Sequence, residues 1–196
     1  MTTRALVITF VAAGLVVVGA GAAAIVLTVP AAEAPRSQST ATVVAVPTAT
    51  ATAADSTQVT AASLRYMIEE EKLAHDVYVV LGETWGANIF GNIAASETTH
   101  QNLLVPLLAS RGIVDSRSTE LGVFTNTELQ ALYDQLIAQG RTSYSQAIQV
   151  GVIIEKKDIV DLNGAVALEN QADVLGAYQR LLAGSQNHLA AFERQA

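Results

Sequence analysis

Apolar residues recur at intervals of three and four positions from residue 61 to residue 196, and glycines and polar residues interrupt the pattern at regular distances. This spacing is typical of amphipathic α-helices rather than of strands. Thr60 suits a helix N-cap, and Gly86, Gly112 and Gly140 suit helix ends. The pattern therefore predicts five helices, at residues 61–83, 88–110, 127–139, 143–168 and 171–194.

The links between the predicted helices differ in length. Short links near Gly86 and Asn170 favour antiparallel neighbours, whereas residues 112–142 form a long connection that includes the short third helix. One long crossover between two helical hairpins is the ferritin-like arrangement. The sequence thus predicts an all-α fold, a ferritin-like four-helix bundle whose long crossover carries a short extra helix.

The N-terminal part of the chain has a different composition. No charged residue occurs between Arg4 and Glu33, and this run exceeds the about 20 residues that a membrane-spanning helix needs. Ala32-Glu33-Ala34 also suits signal cleavage. We predict a hydrophobic anchor or signal segment at residues 1–36, retained or cleaved, with a buried soluble helix as the remaining alternative.

The residues after this segment complete the predicted organisation. A stretch rich in Ser, Thr and Ala, residues 37–60, predicts a flexible linker to a helical domain at residues 61–196. The single positive charge near the N-terminus, Arg4, favours an extracytoplasmic location for that domain. The domain is then either tethered to the membrane or secreted.

The charge of the chain limits its partners. The net charge is -7, and no cluster of lysine and arginine occurs, which argues against a nucleic-acid partner. Cysteine is absent, so the exported domain cannot be stabilised by disulfides. Its stability must come from an apolar core, with or without bound metal.

Ionisable residues lie within the apolar faces of the first two predicted helices. At about 100° per residue, Glu70 falls at the centre of the first face, Glu71 lies at its edge as a second choice, and His75 points away. Glu97 and His100, three positions apart, share the apolar face of the second helix. Their burial is costly unless they are paired or bind a cation. A solvated charge run is the alternative for the acidic stretch of the first helix.

The last two long helices show the same feature. Glu155 lies on an apolar face with Asp158 at its edge, His188 faces apolar residues of the last helix, and Lys157 is expected to point outward. Two divalent cations would neutralise such a cluster, and oxygen-rich ligands with imidazoles suit iron or manganese. The predicted metal ligands are Glu70, Glu97, His100, Glu155, Asp158 and His188.

Three segments together carry a family resemblance: Glu69–Tyr78 (EEEKLAHDVY), Asn92–His100 (NIAASETTH) and Asn187–His188. With them, residues 61–194 resemble the uncharacterised ferritin-like domains grouped as a domain of unknown function. The resemblance implies a four-helix bundle with a di-metal carboxylate site. Ser185 stands where the ferritin-like pattern has an acid three residues before the last histidine, and Asp158 is expected to compensate.

The predicted function is an exported ferritin-like domain with a di-iron or di-manganese centre, and reactivity toward oxygen or peroxide is one interpretation. Two alternatives stay open, a metal-capture domain without turnover and a structural or interaction domain displayed on a membrane tether. The expected partners are metal ions and the membrane. The sequence places no Ser or Cys nucleophile beside a histidine in a recognisable motif, so a hydrolase is not supported. Whether the protein is an enzyme is left undecided by the sequence.

Overall fold

Five α-helices account for most of residues 53–196, the part of the chain that the computed structural model describes. No strand occurs among these residues, so the all-α prediction is confirmed for them. The helix ends agree with the predicted ones to within two residues, except at the start of the first helix. The helices are α1 (Ala53–Trp85), α2 (Asn88–Ser110), α3 (Thr127–Gly140), α4 (Tyr144–Leu168) and α5 (Ala172–Glu193).

The first helix begins eight positions earlier than the apolar pattern predicts, at Ala53 rather than at residue 61. Residues 53–60 thus form the first turns of α1, and Thr60 is an interior helical residue rather than an N-cap. Its buried hydroxyl donates a hydrogen bond to Glu169 Oε2 at 2.9 Å. The predicted anchor at residues 1–36 and linker residues 37–52 lie outside the described residues. Within residues 53–196, no helix is long and apolar enough to span a membrane.

Turn and cap residues explain where the helices begin and end. Gly86 has a φ of 65° in the turn between α1 and α2, a conformation that glycine adopts without a steric penalty. The Asn126 side chain accepts hydrogen bonds from the amides of Glu128 and Leu129 at the start of α3, and the Ser143 hydroxyl caps α4 in the same way. These side chains satisfy amides that have no partner within the helix.

Each of the four long helices packs against two other long helices. α1 contacts α2 and α4, and α5 also contacts α2 and α4, while the short α3 packs against α1 and α4. Two apolar clusters form the core. The aromatic cluster is built around Tyr78, Phe90 and Phe192, with ring centroids 5.2 to 6.2 Å apart. The aliphatic cluster is built around Ile68, Leu104 and Leu181.

The order in which each helix passes the two clusters gives its direction. α1 and α5 contribute first to the aliphatic and then to the aromatic cluster, whereas α2 and α4 contribute in the reverse order. The helices of each hairpin are therefore antiparallel, and α2 and α4 run the same way. The connection between α2 and α4 has to return along the length of these helices, which explains why it is long.

The close approach of α4 to α5 requires glycine at position 151. A Cβ there would lie 2.6 Å from the Phe192 ring, and a buried ring cannot yield without disturbing its neighbours. We expect Gly151→Ala to lower the free energy of unfolding by about 1–3 kcal/mol. Gly164→Ala on the same helix, where no atom lies within 4 Å, should instead stabilise by up to about 1 kcal/mol. Urea denaturation followed by circular dichroism measures both, and equal effects would contradict the proposed helix contact.

Candidate metal centre

A layer of buried polar side chains separates the aromatic from the aliphatic cluster. Every long helix contributes to it, at positions that lie between its residues in the two clusters. Charged groups placed there are cut off from water on both sides, so their interactions with one another decide their ionisation. This polar layer consists of Glu71, Glu97, His100, Glu155, Asp158, Ser185 and His188, none of them more than 8% exposed.

Glu97 contacts both histidines of the polar layer. Its Oε2 lies 2.8 Å from His100 Nδ1, one turn along α2, and its Oε1 lies 2.9 Å from His188 Nδ1 on α5. The two imidazole rings are stacked, with centroids 5.3 Å apart. One ligand atom from each of these three residues lies within 4.8 Å of the other two. That spacing suits donors arranged around a single metal ion, because such donors lie about 2 Å from the ion.

His188 is oriented by Ser96. Its Nε2 lies 2.9 Å from Ser96 Oγ, and its Nδ1 therefore faces the carboxylates, with Glu155 Oε2 at 3.6 Å. A hydrogen bond to the far nitrogen is the usual way in which a protein fixes the tautomer and direction of a metal-binding imidazole. His188 thus presents Nδ1 to the carboxylates of Glu97 and Glu155.

His100 also presents Nδ1 to carboxylates. Besides Glu97, this nitrogen contacts Glu71 Oε2 on α1 at 3.0 Å. Its Nε2 faces the backbone of α5 at Gly184, where a Cβ would lie only 2.3 Å away. The absence of a side chain at Gly184 is therefore what lets the imidazole lie between α2 and α5.

The two α4 acids of the polar layer are each held by one hydroxyl. Tyr78 Oη donates to Glu155 Oε1 at 2.6 Å, and Ser185 Oγ donates to Asp158 Oδ2. The second contact bears on the expectation that Asp158 replaces the acid missing from α5. Asp158 lies against the very serine that stands at the expected acidic position.

Burial dominates the ionisation of the carboxyl groups. It raises the pKa of Glu71 and Asp158 well above their usual range, and it raises the pKa of Glu155 to about 7. Burial opposes the ionisation of Glu97 as well, but hydrogen bonds from the two imidazoles outweigh it and lower the pKa of Glu97 to about 2. The histidines thus stabilise the ionised form of Glu97, whereas burial favours the protonated forms of the other three carboxyl groups.

The histidines respond in the opposite sense. Burial favours their neutral form, but hydrogen bonds to Glu71 and Glu97 raise the pKa of His100 to about 10. Hydrogen bonds to Glu155 and Glu97 likewise raise the pKa of His188 to about 9. Without a metal, protons therefore occupy the places between imidazole and carboxylate that a cation could take.

Two carboxylate oxygens of the polar layer, Glu71 Oε1 and Asp158 Oδ1, have no hydrogen-bond partner among the described residues. Buried polar atoms are nearly always paired, and leaving one unpaired costs about 1–3 kcal/mol. Carboxylate oxygens and imidazole nitrogens are also common ligand atoms for divalent transition metals. The donor set of the polar layer therefore fits a metal ion.

Glu70, the ligand predicted from the first helix, faces a different side of α1. Its carboxylate bonds to Lys157 Nζ of α4, and the same ammonium group contacts Asp161 Oδ2 at 2.5 Å and Tyr66 Oη at 2.6 Å. The expectation that Lys157 points outward is therefore wrong, because it neutralises a buried glutamate. Glu71, the second choice, is the α1 residue in the polar layer.

The choice between these two glutamates could not be made from one helix face. α2, α3 and α4 all contact α1, and every residue from Glu69 to Ala74 is buried. Reasoning from amphipathicity assumes one apolar stripe that faces one core. Because Glu70 faces α4 and Glu71 faces α2, each is buried on its own side.

Glu69 and Lys72, the other charged residues of this part of α1, form hydrogen bonds with the connection between α2 and α3. Glu69 accepts hydrogen bonds from Ser116 Oγ at 2.7 Å and from the Asn126 amide at 3.0 Å. Lys72 is also buried, and it donates a hydrogen bond to the Glu120 carbonyl at 3.0 Å. The alternative of a solvated charge run is wrong, since these residues bind the crossover to α1.

Sequence reasoning did not identify two of the residues that orient the polar layer. It gave Tyr78 no role in the site, although Tyr78 lies seven positions after Glu71 and so shares its side of the helix. Ser96 had no signal beyond its place beside Glu97, because a serine on a helix gives no indication of a partner on another helix. His75, by contrast, lies outside the polar layer as expected, with Nδ1 2.9 Å from Asp76.

Comparisons with known proteins identify relatives of this chain, and the names of these relatives give no activity. The uncharacterized protein MJ0754 of Methanocaldococcus jannaschii is 41% identical to this chain over 129 residues, which span 65% of this chain and 70% of that protein. A crystal structure of hypothetical protein MJ0754 from Methanococcus jannaschii DSM 2661 matches with a TM-score of 0.68 at 40% identity. The match covers 69% of this chain and 78% of the other.

A family model described as "Uncharacterized protein domain (DUF2202)" matches residues 60–196. The match begins one residue before the predicted helical domain and covers all four long-helix contributions to the polar layer. The predicted resemblance to a domain of unknown function is confirmed. This chain belongs to the DUF2202 family of uncharacterised protein domains.

Proposed function

We propose that this protein carries a ferritin-like four-helix bundle that binds two divalent ions, iron or manganese, in the polar layer. The observation that carries the proposal is the buried group of Glu97, His100 and His188, whose ligand atoms lie within 4.8 Å of one another. The two antiparallel hairpins and the long return between α2 and α4 support the bundle type. The apolar run at residues 5–32 is the basis for proposing that the domain is displayed outside the cytoplasm.

The charge of the polar layer supports two ions rather than one. Its four carboxyl groups would carry four negative charges when ionised, and two divalent cations would balance them with both imidazoles neutral. The ligand set differs from the usual ferritin-like pattern in one respect, since α4 contributes two acids and α5 none. The proposed ligands are Glu71, Glu97, His100, Glu155, Asp158 and His188.

Bound iron or manganese would supply redox chemistry toward oxygen or peroxide at any open coordination position. The protein's part is to orient the ligands and exclude water. Tyr78 holds Glu155 Oε1 and leaves Oε2 facing His188, while the aromatic and aliphatic clusters close the layer on both sides. Metal capture without turnover is the second candidate, because ligands at most 8% exposed leave room only for very small reactants.

Elemental analysis tests the proposal directly. Full-length protein purified without chelators, in a mild detergent because of its apolar N-terminal run, should contain about two iron or manganese atoms per chain. His100→Ala should lose most of this metal, whereas His75→Ala should keep it, since that imidazole bonds to Asp76 outside the polar layer. If the wild-type protein takes up neither ion after reconstitution, the layer is structural and the proposal fails.

A second variant pair tests the placement of His100. We expect Gly184→Ala to push the imidazole away from α5, because the new Cβ would lie 2.3 Å from Nε2. It should weaken metal binding by about tenfold or more, a typical cost of disturbing the support of a ligand. Gly176→Ala on the same helix, with no atom within 4 Å, is the control. Competition titrations with a metallochromic chelator measure both affinities, and equal affinities would contradict this position for His100.

The metal-free protein should lose stability as the pH rises. Folding raises the pKa of His100 to about 10, of His188 to about 9 and of Glu155 to about 7, so the folded state holds more protons than the unfolded chain. Such groups stabilise the fold below their unfolded pKa and lose this contribution as the pH passes their folded pKa. Folding lowers the pKa of Glu97 to about 2. Its ionisation therefore changes the free energy of unfolding only below about pH 4, the pKa of a glutamate in the unfolded chain.

Between pH 6 and pH 9, the melting temperature of the metal-free protein should therefore fall by about 5 °C or more. Saturating Mn²⁺ should reduce the fall, because the cation takes the place of the protons. Differential scanning calorimetry of the full-length protein measures both curves. A melting temperature that rises over this interval without metal would show that the polar layer is not protonated in the way described.

A further inference from the structure

Three acids of α4 form a line that leads out of the polar layer. Glu155, Asp158 and Asp161 are spaced three residues apart and so follow one side of the helix. The side chain of Glu155 is 2% exposed, Asp158 is 6% exposed, and the side chain of Asp161 is 27% exposed. Carboxylates thus extend from the proposed metal centre to a position that water reaches.

Glu70 of α1 lies beside the outer part of this line. It is buried, and its Oε2 has no hydrogen-bond partner among the described residues. Its Oε1 and Asp161 Oδ2 both contact the ammonium group of Lys157, so these two carboxylates lie against the same cation. Asp158, one turn before Asp161 on α4, also has an unpaired oxygen, Oδ1.

The ammonium group of Lys157 occupies the place where a cation would meet these acids. Its Nζ contacts oxygen atoms of Glu70, Asp161 and Tyr66, and oxygen atoms are the ligands that hard divalent cations take up first. The side chain of Lys157 is 20% exposed. A lysine has a flexible four-carbon stem, so its ammonium group can leave for water without movement of the backbone.

Stability alone does not explain this arrangement. A buried ion pair is weak support for stability, because the cost of removing both charges from water cancels much of their attraction. An apolar pair of similar volume at Glu70 and Lys157 would stabilise the contact between α1 and α4 at least as well. The retained charges, together with the unpaired oxygens of Glu70 and Asp158, point to a cation as their partner.

We propose that Asp161, Glu70 and Asp158 form a loading route by which a divalent cation reaches the polar layer, with the ammonium group of Lys157 as its displaceable plug. This inference rests on the proposed function, which supplies the destination. An incoming cation first meets Asp161, takes the place of the ammonium group at Glu70, and passes to Asp158. Lys157 then returns to Glu70.

The rate of Mn²⁺ uptake by metal-free, full-length protein tests the route. Loss of the free Mn²⁺ signal in electron paramagnetic resonance gives the rate, and elemental analysis gives the final metal content. Glu70→Gln should slow uptake by about tenfold, the low end of electrostatic steering effects, with the final content unchanged. Lys157→Met should speed uptake by a similar factor at low salt, and the difference should shrink at high ionic strength.

Lys156→Met is the matched control for Lys157→Met. Lys156 is the neighbouring residue on α4, its side chain is 59% exposed, and it pairs with the surface residue Glu193 at 3.2 Å. It should load at the wild-type rate. If Lys157→Met does not fold, as circular dichroism would show, Glu70→Gln decides, because its amide keeps the volume of the side chain and can still accept from Lys157.

The outcomes separate the route from the proposed function. Normal metal content with a wild-type rate in Glu70→Gln overturns the route and leaves the metal centre intact. Reduced metal content in Glu70→Gln also overturns the route, because Glu70 would then be a ligand, as the sequence predicts. A wild-type protein that takes up neither Mn²⁺ nor iron overturns both proposals. Slower uptake to the same final content supports both.

Discussion

The polar layer confines four carboxyl groups and two imidazoles between two apolar clusters, and this imbalance of charge constrains the rest of the structure. Two protonated histidines neutralise only part of the negative charge, so the remaining carboxyl groups must hold protons or share a cation. Each long helix supplies part of the layer, and the layer therefore forms only when both hairpins dock. Closure of the core and assembly of the site are one event.

Consecutive charged residues of α1, from Glu69 to Lys72, contact different parts of the structure. Glu69 and Lys72 hold the connection, Glu70 pairs with α4, and Glu71 enters the layer. Consecutive helical residues point about 100° apart, so a helix contacted on three sides can give each charged residue a separate partner. This explains why an acidic run that resembles a solvated surface is buried throughout.

Much of the fold was predictable, because helix periodicity and connection length act locally. The sequence also identified Glu97, His100, Glu155, Asp158 and His188, which the structure brings together. These residues lie within the main apolar stripe of their helices, and such a stripe is what periodicity detects. Periodicity could not decide between Glu70 and Glu71, because that choice depends on the positions of two neighbouring helices. For the same reason it could not identify the partners of Lys157. The early start of α1 was missed because its alanine-rich beginning has no apolar period.

Glu69 is a buried glutamate outside the polar layer, and its hydrogen bonds can be compared with those of the acids inside it. Glu69 accepts hydrogen bonds from the Ser116 and Thr125 hydroxyls and the Asn126 amide, so that both of its oxygens are paired. Two residues later, Glu71 leaves one oxygen unpaired, and Asp158 across the layer does the same. A network serving structure alone would be expected to satisfy these atoms as fully as those of Glu69. Within residues 53–196, the incomplete pairing occurs at groups that could ligate or conduct a cation, and it therefore favours a layer built for metal.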